Sequence, residues 1–189
     1  METKQRCAWC EKDDLYRNYH DNEWGKPVYD DETIFEFLIL ETFQAGLSWY
    51  TVLAKRENFR KAFDNFNLKK IANYSEDKMA ELAEDAGIIR NKLKIKATVT
   101  NAQAFIKVQE EFGTFSKYIW GFVDGKPIDN HLKTLSEVKA TTPISDALSK
   151  DMKKRGFKFV GSTVMYAHMQ ATGMVDDHVS NCWKRTATA

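Results

Sequence analysis

Cys7 and His20, spaced C-x12-H, and His178 and Cys182, spaced H-x3-C, are the residues of this sequence best suited to grip a metal. Two thiolates and two imidazoles make a closed tetrahedral set for zinc, with no open position for a reacting water, so such a site would be structural. The pairs are separated by most of the chain, which excludes a small finger module and makes the ion a staple between distant segments. Closing so long a loop removes about 4–5 kcal/mol of unfolded-chain entropy by the relation used for disulfides. His178 and Cys182 are read as i and i+4 on one helical turn, sharing a face. Cys10 opens a rival set, because Cys7 and Cys10 form C-x2-C; with His178 and Cys182 they would leave His20 free. His131 and His168 fit no partner pattern and are read as surface or satisfied core residues.

A second constellation is aromatic. Trp9, Tyr16, Tyr19, Trp24 and Tyr29 crowd the N-terminal stretch, and Trp49 and Tyr50 follow. Among them lies Glu41, inside the apolar run FLILETF. A carboxylate on a mostly buried helix is costly unless it is paired or useful. The bland reading puts Glu41 on a polar edge or against a backbone N–H. The functional reading is an aromatic box with one anion, suited to a flat cation; cation–π contacts reach about 2 kcal/mol when desolvated. The cation would also keep Glu41 ionised against the effect of burial.

The elements that must carry these residues read as almost entirely helical. Residues 31–45 begin with acids and present a broad apolar face, as a helix start does. Gly46-Leu47-Ser48 breaks that helix, and Ser48 is the N-cap of a helix over 49–63. Ser75 opens another that Gly87 ends. Residues 91–112 repeat apolar positions at helical spacing up to Gly113. Residues 124–133 read as a loop. Thr142-Pro143 is an N-cap and N1 pair for a helix to about Arg155. Then comes a tight hairpin, Gly156 to Gly161, and a helix from Ser162 closed by Gly173. A hairpin that ends in Gly at a helix N-terminus points backbone N–H groups outward, a geometry for a DNA phosphate; the bland alternative is an ordinary αα corner.

With 189 residues, 43% hydrophobic and 29% charged, the chain is the size and composition of one soluble domain. No run approaches the 18 apolar residues of a membrane helix, and the first residues lack the apolar core of a secretion signal. Three cysteines argue against a secreted disulfide framework, so the expectation is a cytoplasmic protein. The net charge of +1 hides a polarised distribution. Segment 11–41 carries ten acids and three bases, segment 88–107 five bases and no acid, and segment 150–158 five bases and one acid. Such a chain can turn a basic face to nucleic acid, or simply solvate two helix faces.

The stretches YHDNEWG (19–25), AGLSW (45–49), AGIIR (86–90), LSKDMKKRGFKFVG (148–161) and DHVSNC (177–182) resemble the 3-methyladenine DNA glycosylase I family, and the resemblance runs from Arg6 to Cys182. It implies an all-α fold of the helix–hairpin–helix glycosylase superfamily, one domain over 1–189, with a helical lobe at about 26–145 and the hairpin unit at about 143–173. It implies structural zinc held by Cys7, His20, His178 and Cys182, with Cys10 a bystander. It implies a base pocket of Tyr16, Tyr19 and Trp49, with Trp9 and Trp24 in or near it, Glu41 as the catalytic carboxylate, and Leu47 as the wedge that fills the gap left by a flipped nucleotide. Lys158, Gly161 and Ser162 would meet the DNA backbone.

The implied activity is excision of N3-methyladenine from alkylated double-stranded DNA, leaving an abasic site, without a lyase step. A monomer with no membrane association is expected. The sequence departs from the superfamily hairpin at Phe159, which stands where a first Gly is usual. Asp176, near the place of an aspartate that many relatives use, is a further candidate. The competing readings are a non-catalytic DNA-binding module and a hydrolase of free nucleosides.

Overall fold

In a computed structural model the described residues are 4–185; residues 1–3 and 186–189, which the domain expectation also covers, lie outside them. The chain forms helices α1 (Asp14–Asn22), α2 (Asp31–Gln44), α3 (Trp49–Ala54), α4 (Arg56–Ala62), α5 (Leu68–Ala72), α6 (Glu76–Glu84), α7 (Lys92–Phe112), α8 (Phe115–Trp120), α9 (Pro143–Lys154) and α10 (Ser162–Ala171). Two-residue strands β1 (Ile128–Asp129) and β2 (Val175–Asp176) pair in parallel. The fold is all-α, and among the described residues no helix is long and apolar enough to cross a membrane.

α2 lies at the centre. Asp30 caps it by accepting from the Thr33 N–H at 2.8 Å. Ile34, Phe35, Phe37, Leu38, Ile39, Leu40 and Phe43 are all buried, so the helix presents almost no solvent face. Phe43 meets Phe59 edge-on at 4.8 Å between centroids, and Phe35 meets Phe105 of α7 at 5.2 Å. Each such ring removed from water contributes about 1.5–3 kcal/mol. Asp31, in the first turn of α2, accepts from the N–H groups of Phe115 and Ser116 at 2.9 and 2.8 Å, so one carboxylate sets α8 against α2.

Sequence and structure agree on α2, α7 and α9, each marked by caps at its start: Asp30, Asn91 and the Thr142/Ser145 capping box. They agree also on α10, which begins at Ser162, and differ at four places. The single helix expected over 49–63 is two, broken at Lys55, whose ammonium reaches the carbonyls of Ala86 and Gly87 at 3.2 and 3.3 Å. Arg56 then turns inward to Glu36 (2.6 Å) and Glu23 (2.5 Å). α6 stops at Asp85 rather than Gly87, because the Asp85 carboxylate takes the Gly87 N–H at 2.7 Å. The stretch expected to be loop contributes β1. His178 and Cys182 do not sit on a helix: the chain runs extended out of β2 and then turns, with the Cys182 N–H on the Val179 carbonyl at 2.8 Å.

Gly173 is required by close approach. Its φ is +68°, and a Cβ there would lie 2.3 Å from the Lys26 carbonyl carbon. That crossing lays the segment after α1 against the end of α10, with Gly25 N–H on Gln170 O and Val28 N–H on Thr172 O.

His168 corrects the expectation of a satisfied core residue. Its ring is fully buried in α10 and, among the described residues, neither nitrogen has a hydrogen-bond partner. Burial pushes its pKa down to about 3, so the fold needs it neutral. The unfolded chain protonates near 6.5, hence stability is full above that pH and is lost as pH falls from about 6.5 towards about 3. His168→Leu is expected to raise the unfolding free energy at neutral pH by about 1–2 kcal/mol and to flatten that acid limb, as read by urea denaturation at several pH values.

Candidate functional site

The segments before and within α1, the end of α2, the start of α3 and the end of α10 enclose a cavity of about 370 Å³. Trp9, Tyr16, Tyr19, Trp24, Glu41 and Trp49 line it, so the structure brings together all six residues expected in the aromatic box. Tyr19 lies 5.4 Å from Trp49 between centroids, and Trp9 meets Tyr16 and Trp24 edge-on, each at 5.1 Å. α1 owes its start to Asp13, which accepts from the Tyr16 N–H at 2.9 Å and from the Tyr50 hydroxyl at 2.5 Å. α3 owes its start to Ser48, which caps it and sets Trp49 as the first helical residue.

Among the described residues, two polar atoms at this cavity are buried without a hydrogen-bond partner: Glu41 Oε2 and Trp49 Nε1. Glu41 is 3% exposed, which decides against the bland reading of a polar edge. Burial pushes its pKa up to about 8. Burial, and then the neighbouring Glu41 carboxyl, push the Tyr19 phenol well above its ordinary range. The cavity therefore presents a neutral acid, an indole N–H and aromatic faces, at a volume that suits one heterocyclic base.

Sequence reasoning missed Asp177, Gln170 and Gln44, which also line the cavity. Asp177 accepts from Asn130 at 2.6 Å and from Tyr166 and Gln170, both at 2.7 Å. Its adjacency to His178 in DHVSNC was the available signal. Asp176 takes the His178 N–H at 3.0 Å and is not among the cavity-lining residues.

Behind the aromatic wall lies the Cys/His cluster. One ligand atom each from Cys7, His20, His178 and Cys182 lies within 4.8 Å of all the others, and all four residues are buried. Cys182 Sγ is 3.4 Å from His20 Nε2 and 3.5 Å from His178 Nδ1, and Cys7 Sγ is 3.7 Å from that Nδ1. With metal–sulfur and metal–nitrogen bonds of about 2.3 and 2.0 Å, the edges of a tetrahedron are about 3.5 Å, so the set fits an ion. The other nitrogen of His20 is fixed by Asp21 at 2.8 Å, as the outer partner of a metal-bound imidazole usually is. Hydrogen bonding from Cys7, and then from the two histidines, drives the Cys182 thiol down towards the thiolate, while that same bond and burial push Cys7 up. Gly25 has φ +76°, and a Cβ there would meet His178 Nε2 at 2.8 Å, so only glycine leaves room for that ring. Cys10 stands outside the cluster, its thiol on the Cys7 carbonyl at 3.1 Å.

The cluster and the cavity share a wall. Trp24 packs edge-on against His178 at 4.7 Å, and Trp9 against His20 at 5.5 Å.

Leu47 is 43% exposed at the rim, between α2 and α3. Two residues on one face of α7 tie this rim to the hairpin. Lys94, 5% exposed, donates to the carbonyls of Phe43 and Ala45 at 2.8 and 2.7 Å. The wholly buried Asn101 side chain accepts from the Lys158 N–H at 2.7 Å and donates to the Lys158 carbonyl at 3.1 Å. Lys94 is thus no part of the basic face read from segment 88–107. Arg155 is likewise engaged, with Asp151 and Glu111, leaving Lys150, Lys153, Lys154 and Lys158 exposed. In the hairpin, Phe159 adopts φ +57°, the left-handed conformation that glycine takes without strain. Gly161 caps α10 with no side-chain bond, so the first N–H groups of that helix are left to other acceptors.

A family model described as methyladenine glycosylase matches residues 9–185. DNA-3-methyladenine glycosylase 1 of Escherichia coli strain K12 is 49% identical over 178 residues, covering 94% of this chain and 95% of that protein. A crystal structure of 3-methyladenine DNA glycosylase I superposes with a TM-score of 0.93 at 47% identity, covering 96% of this chain and 100% of that one. A variant of 3-methyladenine DNA glycosylase I in complex with 3-methyladenine superposes with a TM-score of 0.93 at 36% identity, covering 96% of this chain and 98% of that one.

Cys182→Ala is expected to abolish stoichiometric metal, read by elemental analysis of the purified protein. The melting temperature is expected to fall by several degrees, because an ion that joins distant segments binds only the folded state.

Proposed function

Because this chain belongs to the methyladenine glycosylase family and is a hydrolase of N-glycosyl bonds, we propose that it excises N3-methyladenine from alkylated double-stranded DNA at the aromatic cavity. The observation that carries this reading is Glu41: a buried carboxyl with a partnerless oxygen in a cavity walled by tryptophan and tyrosine.

The lesion base must leave the stack to reach such a cavity. Leu47 fills the gap, and the base lies among Tyr16, Tyr19 and Trp49, with Trp9 and Trp24 closing the side towards the metal cluster. Glu41 faces the exocyclic amine and N7 edge of the base. N3-methyladenine in DNA is a cation; as it enters, it stabilises the Glu41 carboxylate and the proton leaves the pocket. The bond between the anomeric carbon and N9 then breaks, its electron pair neutralising the base, so the leaving group needs little general-acid help. The Glu41 charge stabilises the oxocarbenium-like sugar, as carboxylates do in glycoside hydrolysis. Water adds to the anomeric carbon, loses a proton, and an abasic site remains. No lysine lines the cavity, which favours hydrolysis without a lyase step. Lys158 and the N–H groups at Gly161 and Ser162 hold the DNA backbone.

Cys7, His20, His178 and Cys182 would hold zinc, and all four coordination positions are protein ligands, so the ion contributes rigidity rather than reaction chemistry. The protein acts as a single domain and as a monomer, in the cytoplasm.

Chromatography of bases released from methylated duplex DNA tests the reading: a 3-methyladenine peak above the spontaneous background, with 7-methylguanine retained, is expected. The absence of such a peak from folded, metal-loaded protein would sink it. Glu41→Gln is expected to lower excision about 100-fold at unchanged metal content. The pKa near 8 belongs to the empty pocket, so kcat/KM for the cationic lesion is expected to climb as pH rises towards about 8 and then level off. The Gln variant should lose that climb.

A further inference from the structure

α7 touches both parts of the surface that would meet DNA. Lys94 and Asn101 are seven residues apart, two helical turns on one face, about 10 Å along the axis. Lys94 holds the last carbonyls of α2, just before Leu47, and Asn101 holds the hairpin backbone at Lys158.

We propose that Lys94 is a positioning residue for base flipping: its ammonium fixes the end of α2, and through it the Leu47 wedge, at a set distance from the Asn101-held hairpin. This rests on the reading of Leu47 as the wedge.

The chemistry of the contact supports the role. The final carbonyls of a helix have no intrahelical donor and carry the negative end of its dipole, and a cation is the natural partner. Ala45 has left helical geometry (φ −48°, ψ 115°), so its carbonyl lies beyond the last turn and still points at the same ammonium as the Phe43 carbonyl. The Leu47 N–H returns to the Gln44 carbonyl at 2.6 Å, so the loop is tied down on both sides of Gly46. A side chain that must push into a base stack against the resistance of the duplex has to be braced, since a loose loop yields before the stack does. Lys94 does not line the aromatic cavity, so it acts on the reaction through the end of α2 and not by touching the base.

Lys94→Met keeps most of the length of the side chain and removes both bonds. Three readouts are compared with the unaltered protein. Affinity for free 3-methyladenine, by tryptophan fluorescence, is expected to change less than about twofold. Excision from methylated duplex DNA is expected to fall about tenfold, and excision from the same DNA heat-denatured to single strands less than about twofold, because there the wedge has little to displace. In a double-mutant cycle on duplex DNA, Leu47→Ala and Lys94→Met are expected to be strongly non-additive, since Lys94 acts through Leu47. Equal losses on both DNA forms, or additive losses in the cycle, would overturn the positioning role while leaving the wedge reading intact. Unimpaired duplex excision by Leu47→Ala would overturn the wedge reading and the proposal with it. Should Lys94→Met not fold, Lys94→Arg keeps the charge but displaces the donors, and the same split between the two DNA forms is required of it.

Discussion

Burial of α2 on nearly every face strands one carboxyl in the interior, and the site is built around that fact. A buried acid without a hydrogen-bond partner is expensive, more so than an apolar side chain in the same place. The protein instead leaves a cavity beside Glu41 and lines it with rings. Aromatic walls give no hydrogen bond to the acid, so its proton is held until a positive charge arrives. Under the proposed function the cost of burial becomes selectivity: a neutral base entering the same space would gain the stacking but little of the ionic contribution.

The Cys/His cluster serves this arrangement from behind. It lies against Trp24 and Trp9, so the ring planes that face the cavity rest on the imidazoles that would hold the ion. The aromatic wall comes largely from a segment with few long apolar runs of its own. Its place is held by contacts with residues about 160–180 positions away, among them His20 with Cys182, Cys7 with His178, and the Gln5 carbonyl with the Trp183 N–H at 2.9 Å. An ion at this point would do for the wall what a hydrophobic core does for α2.

Much of this was legible in the residues. Paired Cys and His spacings pointed to a metal cluster with Cys10 or His20 left open as the fourth ligand; leading acids marked α2, apolar periodicity marked α7, and the Thr142-Pro143 pair marked α9. α1 was not legible: DLYRNYHDN is mostly polar, and its helix depends on the Asp13 cap and on burial of only Tyr19 and His20. The break at Lys55 depends on carbonyls more than thirty residues away, and no local pattern reports that. Charge counting misread Lys94 for the same reason. A lysine in a basic run looks solvated until tertiary structure supplies the carbonyls that bury it. Glu41 was legible as an anomaly, but its partnerless oxygen is a property of the assembled cavity.

The crossing at Gly173 and the cluster at Gly25 have a consequence for the order in which the protein is made. Trp9, Tyr16, Tyr19 and Trp24 leave the ribosome early, yet Gly25 N–H, Val28 N–H and the side chains of Cys7 and His20 find their partners only at Gln170, Thr172, His178 and Cys182. Synthesis proceeds at about 5–20 residues per second, so these aromatic side chains wait several seconds without the surface they pack on. During that interval the nascent chain can close the α2–α7 core, but the aromatic cavity is completed only when the last segments arrive.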